Sequence, residues 1–212
     1  MPLKVKICGI SDAAALEAAQ QAGAHFAGFV FFPPSPRNIS PDQAAALAKE
    51  AGRMKLVGVF VDPDDEDIEK VLAKVSLDFI QLHGHESPGR VREIREKFDV
   101  PVIKAIPVAD AKDIKAAQKY QACADVILFD TAPRSDDLLP GGNARAFDHK
   151  LLNGKEFDFP WGLSGGLDAG NLEAAVTESG TRMVDVSSGV EQNPGQKDAA
   201  LIKGFMAKAK TL

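Results

Sequence analysis

Two residues far apart in the chain have the types needed for acid and base chemistry, and each stands where a short apolar run ends. Val5-Lys6-Ile7 runs into Cys8-Gly9-Ile10 before a helix start at Ser11, and Val126-Ile127-Leu128-Phe129 ends in Asp130-Thr131. If both runs are parallel strands opening on one face, a thiol and a carboxyl group converge there. Cys8 would act as the base, because its thiol has an ordinary pKa of about 8.5 that a nearby cation or helix terminus lowers. Unpaired cysteines often serve only as small buried apolar residues, but that role suits mid-strand equally well, whereas Cys8 adjoins a glycine at the strand's carboxyl end. Asp130 reads in two ways: as a turn carboxylate bonded to the amides that follow, or as a partly desolvated acid at the mouth, able to give up a proton. Asp185, between Val184 and Val186, is an acid inside an apolar strand and needs a partner, protein or ligand. Cys123, in Gln121-Ala122-Cys123-Ala124, falls at a helix end opposite the mouth and is read as structural.

Other polar groups cluster near the same strand ends. Gly165-Gly166 follows the seventh apolar run, and Ser188-Gly189 follows the eighth. In parallel barrels these two connections offer backbone N–H groups to a phosphate. The plainer reading of such glycines is a tight turn with positive φ, and two clusters on consecutive units favour phosphate. Gly141-Gly142 forms a further pair after the sixth run. Arg37 follows Pro33-Pro34-Ser35-Pro36, a stiff loop that would fix a guanidinium fork suited to a planar carboxylate. His83 and His85 flank Gly84, but no third ligand at helical spacing supports a metal. Lys104, at the end of the fifth run, suggests a rival chemistry, a Schiff-base phosphosugar lyase.

Eight apolar runs position these groups: Val5 to Cys8, Phe26 to Phe31, Leu56 to Val61, Phe79 to Leu82, Val102 to Ala105, Val126 to Phe129, Gly162 to Ser164 and Val184 to Val186. Helical segments begin near Ser11, Ser40-Pro41, Asp64, Ser87-Pro88, Asp110, Phe147, Ala169 and Gln196, several with an N-cap side chain or a first-turn proline. Runs apolar at nearly every position, such as Phe26 to Phe31, mark strands buried on both faces. With 212 residues, the chain allots about 26 to each unit, which fits a compact eight-stranded barrel. An open doubly wound sheet would carry a Gly-x-Gly-x-x-Gly in its first turn, where this chain has Cys8-Gly9-Ile10-Ser11. The expected fold is therefore a single-domain α/β protein, a (β/α)8 TIM barrel over residues 1–212.

Hydrophobic residues make up 45% of the chain and charged ones 26%, and the net charge is −5 without an acidic or basic block. This argues against a nucleic-acid or lipid-surface partner. Met1-Pro2-Leu3-Lys4 enters the first strand directly and no apolar run approaches bilayer length, so a cytoplasmic location without membrane association is expected. Two separated cysteines point to free thiols rather than a disulfide framework or a thiolate zinc site.

Taken together, Lys6-Ile7-Cys8-Gly9, Gly28-Phe29-Val30-Phe31 with Ser35-Pro36-Arg37, Val57-Gly58-Val59-Phe60-Val61, Gln81-Leu82-His83-Gly84, Phe129-Asp130-Thr131, Leu163-Ser164-Gly165-Gly166-Leu167 and Val184-Asp185-Val186-Ser187-Ser188-Gly189-Val190-Glu191 resemble the phosphoribosylanthranilate isomerase family from first strand to last helix. The resemblance implies an eight-stranded barrel that carries out an Amadori rearrangement in tryptophan synthesis without metal or organic cofactor. It further implies Cys8 as general base and Asp130 as general acid. Substrate contacts are implied at Arg37, His83 and Asp185, and phosphate contacts at Gly165, Gly166, Ser188 and Gly189. The implied partner is a small phosphosugar, and the expected assembly a monomer or homodimer. One segment departs from the pattern. Where the family has Gly-Gly-Thr-Gly and then a Phe-Asp-Trp-like helix start, this chain reads Gly141-Gly142-Asn143-Ala144-Arg145-Ala146-Phe147-Asp148-His149. The lost glycine motivates a second alternative, a phosphate-ligand binding barrel without catalysis.

Overall fold

The computed structural model describes residues 2–133 and 146–212. Eight parallel strands close into a barrel in chain order: β1 Lys4–Cys8, β2 Phe26–Val30, β3 Lys55–Phe60, β4 Phe79–Leu82, β5 Val102–Val108, β6 Val126–Thr131, β7 Trp161–Leu163 and β8 Met183–Val186. The first and last strands pair directly, with Lys6 in register with Asp185, and that seam completes the ring. Outside it lie α1 Ala13–Ala22, α2 Pro41–Ala48, α3 Asp65–Leu72, α4 Pro88–Phe98, α5 Ala111–Ala116, α6 Leu172–Ser179 and α7 Ala199–Ala209. Among the described residues, none of these helices is long and apolar enough to cross a membrane.

Alternate strand residues point into the barrel and out toward the helices, so both faces of each strand are buried. Inside, Val57, Val59, Ile103, Leu128 and Met183 pack with Phe26 and the stem of Cys8. Outside, Ile7, Phe29, Ile80, Ile127 and Val184 meet helix residues such as Leu16, Ile68, Ile94 and Phe205, all fully or almost fully buried. Each such side chain contributes about 1.5–3 kcal/mol on leaving water. Helix starts follow from local chemistry: Ser40 accepts from Gln43 N and Gln43 answers onto Ser40 N, with Pro41 in the first turn, Asp64 and Asp110 cap α3 and α5 with the same reciprocal pair, and Ser87 caps α4 by accepting from Arg90 N.

Four expectations are corrected. The segment near Phe147 is not an α-helix; a single 3₁₀ turn, His149–Leu152, is capped by Asp148. Gln196 does not open the last helix: Gln196–Lys197 (β10) pairs antiparallel with Glu191–Asn193 (β9), and Asp198, accepting from Ala200 N and Leu201 N, caps α7 instead. Pro194-Gly195 between the two short strands forms the turn that lets Gln196 pair back with Asn193. The helix expected near Ala169 begins at Leu172, because Asp168 holds Gly170 N and Asn171 N in a turn. Finally, β5 continues to Val108, so Lys104 lies within the strand rather than at its end.

Candidate active site

Each candidate at the mouth owes its position to a strand end. Cys8 closes β1, Asp130 is the penultimate residue of β6, His83 follows β4 directly, and Arg37 lies in the connection between β2 and α2. Together with Asp185, Gly165, Gly166 and Ser188 they line one cavity at this end of the barrel. Cys123 lies before β6, at the opposite end of the barrel, buried and donating to Tyr120 O at 3.4 Å.

On the β1 side, a fully buried lysine accompanies the thiol. Lys6 and Cys8 are two apart on one strand and so share a face, and the Lys6 ammonium pairs with Asp185 Oδ2 at 2.9 Å. Across β2, Gly28 stands in register with Cys8, and a Cβ there would lie 3.1 Å from both Cys8 Sγ and Lys6 Cε. Bare backbone at Gly28 thus lets sulfur and lysine stem approach each other. Burial pushes the Cys8 thiol up, Lys6 and Lys197 pull it down, and the net direction is up. The expected cation is therefore present, but desolvation outweighs it. Burial also works against the Lys6 charge, yet Asp185 and Cys8 hold its pKa above the usual lysine value. Among the described residues Asp185 Oδ1 is buried without a hydrogen-bond partner, so the acid at the cavity wall has one oxygen committed to Lys6 and a second that no described residue meets.

On the β6 side Asp130 makes the expected turn contact and also borders the cavity. Its Oδ1 accepts from Thr131 N at 2.8 Å, and its Oδ2 lies 2.9 Å from His83 Nε2. His83 Nδ1 lies 2.9 Å from Gln81 Nε2. His85 does not join this group; its ring is 94% exposed and turns to Asp62.

Arg37 is 6% exposed, but its fork is not vacant. Nε and Nη2 donate to Glu191 Oε1 and Oε2 at 2.8 and 2.9 Å, and Lys197 Nζ joins Oε1 at 2.7 Å. An internal carboxylate thus takes the Nε and Nη2 edge of the fork expected to suit a ligand's planar carboxylate. Burial pushes Glu191 up, but Arg37 and Lys197 hold it below the ordinary carboxylate value. Burial lowers Lys197 despite Glu191. Ser187 connects this group to the base by donating to Cys8 O at 3.2 Å while Lys197 donates to Ser187 O.

The glycines after β7 have φ of 92° at Gly165 and 62° at Gly166. A Cβ on Gly165 would lie 2.7 Å from Thr131 N and 2.8 Å from Asp130 Oδ1, so only glycine lets this turn pass over the acid. Ser188 and Gly189 open the 3₁₀ turn Ser188–Val190. Gly189 is not a wall residue of the cavity and packs against the Leu167 carbonyl. Residues 141–145, where the glycine departure falls, lie outside the described residues.

Lys104 is overturned as a nucleophile. It is 2% exposed and away from the cavity, and its ammonium is held by Glu86 Oε2 and Gly84 O at 2.8 Å each and by Leu82 O at 3.3 Å. A Schiff base needs a neutral amine facing substrate. Sequence reasoning missed Lys6, Lys197 and Glu86. Lys6 carried the signal that marked Asp185, a charge flanked by apolar strand residues.

Comparison with known proteins agrees with this geometry. Residues 5–208 match the family described as N-(5'-phosphoribosyl)anthranilate (PRA) isomerase. The N-(5'-phosphoribosyl)anthranilate isomerase of Paramagnetospirillum magneticum is 51% identical over 211 residues, covering 99% of this chain and 98% of its own. Among solved structures, a phosphoribosylanthranilate isomerase in complex with reduced 1-(o-carboxyphenylamino)-1-deoxyribulose 5-phosphate superposes with a TM-score of 0.85 at 37% identity, over 99% of this chain and 100% of the other. Monomers of the dimeric phosphoribosylanthranilate isomerase from Thermotoga maritima give the same TM-score, identity and coverage.

Proposed function

The chain belongs to the phosphoribosylanthranilate isomerase family, and from that premise we propose that Cys8 and Asp130 are the base and the acid of its isomerase reaction in tryptophan biosynthesis. The observation that carries the assignment is that both border one cavity from separate strands, each with its own neighbour, the buried Lys6 for the thiol and the partly buried His83 for the carboxyl group.

Asp130 delivers a proton to the furanose ring oxygen of N-(5'-phosphoribosyl)anthranilate. The C1'–oxygen bond breaks as the aniline nitrogen lone pair forms an iminium at C1'. That electron sink acidifies the C2' hydrogen, which the Cys8 thiolate removes to leave an enolamine. The enolamine takes a proton at C1' and its C2' hydroxyl becomes the ketone, so the product is an isomer of the substrate. Lys6 keeps a positive charge beside the sulfur and offsets the cost of a buried thiolate. Asp185 Oδ1 accepts from a ribose hydroxyl. Arg37 Nη1, steadied by Glu191, meets the anthranilate carboxylate, and the amides around Gly165, Gly166 and Ser188 receive the phosphate. Holding the substrate at both ends fixes the reacting carbons between sulfur and carboxyl oxygen.

The test is turnover of enzymatically generated substrate, followed by loss of anthranilate-type fluorescence. Cys8→Ala and Asp130→Asn each lower kcat by about 10²- to 10⁴-fold, the usual share of one general acid or base, while unfolding near the parent temperature. Near-normal rates in either variant overturn that residue's role. The same reading takes residues 1–212 as one domain acting in the cytoplasm on a small phosphosugar, as a monomer or homodimer.

A further inference from the structure

We propose that Gln81 is a positioning residue that fixes His83 as the neutral Nε2–H tautomer, so that the proton of Asp130 is kept out of the His83 link and directed at the substrate. The inference rests on Asp130 as the general acid and adds a residue that touches neither substrate nor cavity.

Gln81 is completely buried in β4, between Val59 and Ile103 in the sheet register. Its Nε2 lies 2.9 Å from His83 Nδ1, and its Oε1 is buried with no partner among the described residues. An amide nitrogen can only donate, so His83 Nδ1 accepts, and the ring's single proton then sits on Nε2. From there it is donated to Asp130 Oδ2 at 2.9 Å. With Oδ2 accepting from the ring and Oδ1 from Thr131 N, the acid proton occupies one of the two remaining lone pairs. The reversed amide would give the opposite result. Oε1 would accept from Nδ1–H, Nε2 would become an acceptor, and Asp130 would spend its proton on the histidine. The amide's orientation therefore decides which way the acid's hydrogen bond runs.

The other charged groups near the ring do not compete for this role. Glu86 and Lys104, behind the Gly84 backbone, neutralise each other at 2.8 Å. Across the cavity Arg37 pairs with Glu191 and Asp185 with Lys6. A buried amide making one hydrogen bond is a poor contributor to stability, since its unpaired oxygen costs more than an apolar group of the same shape. Retention of glutamine here is explained by the histidine it faces.

The experiment is ¹⁵N NMR of histidine-labelled protein, with kinetics of Gln81→Met and Gln81→Glu. In the parent protein, the neutral ring of His83 is expected to show a protonated Nε2 and a bare Nδ1. Gln81→Met keeps the volume but loses the donor. Its ring becomes a tautomer mixture and kcat falls on the order of 10- to 100-fold, part of what a general acid supplies. KM stays within about twofold and the thermal midpoint holds or rises, a split that a merely structural residue does not give. Gln81→Glu, a carboxylate that accepts from Nδ1–H, protonates both ring nitrogens and moves the acid limb of the pH–rate profile. A protonated Nδ1 in the parent, or a Gln81→Met enzyme with unchanged kcat and pH profile, overturns the proposal. Should Gln81→Met fail to fold, the parent spectrum decides alone. The spectrum needs no turnover, so a failure of the acid assignment, read from Asp130→Asn, is distinguishable from a failure of this one.

Discussion

At the scale of single residues, the site works by placing charges where burial would otherwise remove them. The Cys8 thiol is the clearest case, because burial raises its pKa while Lys6 opposes that rise without cancelling it. Two consequences have definite signs. With Cys8 as the proposed base its thiolate is the active form, so kcat climbs with pH through a pKa above the thiol's ordinary value of about 8.5. Lys6→Met, which removes the nearest cation, moves that limb further up and lowers turnover near neutrality, as a pH–rate series on both enzymes would reveal. An unmoved limb would detach Lys6 from the base. For stability, a raised folded pKa means that the unfolded chain loses its proton first. Stability is therefore undiminished below about pH 8.5 and declines above it, whereas Cys8→Ser abolishes this component of the decline in urea titrations. The sequence disclosed the members of this site but not their partners. Asp185 stood out as an acid between valines, and Lys6 between Val5 and Ile7 had the same mark. Nothing local links Arg37 to Glu191, 154 residues away; that pair exists only because β2 and β8 flank the same strand.

At the scale of elements, what was legible is what the chain encodes within four residues. The caps at Ser40, Asp64, Ser87 and Asp110 sit beside the amides they satisfy, so those helix starts could be read directly. Replacing Asp64 with Ala is expected to cost about 1 kcal/mol in unfolding free energy and leave kcat and KM alone, since α3 carries no cavity residue. The β9–β10 hairpin could not be read the same way, because its reason is tertiary. Glu191 there is enclosed by Arg37 and Lys197, all three buried. Its folded pKa is depressed, so the stability it contributes is fully present above the ordinary glutamate pKa of about 4.3 and is lost as pH falls from there through the lower folded value. Glu191→Gln leaves two buried cations without their counter-charge, a change that costs about 3–5 kcal/mol when one partner of a buried pair is removed. Because Arg37 then loses its fixed orientation, KM rises as well. Chemical denaturation and steady-state kinetics on one preparation test both effects, and a stable variant with raised KM would confine Glu191 to aiming the arginine.

At the scale of the whole molecule, the reactive groups straddle the seam that closes the barrel. Lys6 and Asp185 face each other across the β1 to β8 pairing, and Cys8 stands two residues along from that contact. The seam is covered from outside by α7, which packs on α1 and β1 and buries Ile202, Phe205, Met206 and Ala209. Chain end and chain start must therefore meet before a base site exists at all, and partial unfolding that opens the ring removes catalysis with it. If residues 1–212 form one cooperative unit, loss of activity, of far-UV circular dichroism and of fluorescence from the single tryptophan, Trp161 in β7 against Phe129 and Phe157, follow one urea curve. Phe205→Ala, which empties a fully buried site beneath α7, shifts all three curves together by about 3–5 kcal/mol and leaves kcat of the folded enzyme near the parent value. Activity vanishing at lower urea than the tryptophan signal would instead mean that the seam opens first, with β7 and its neighbours standing on their own.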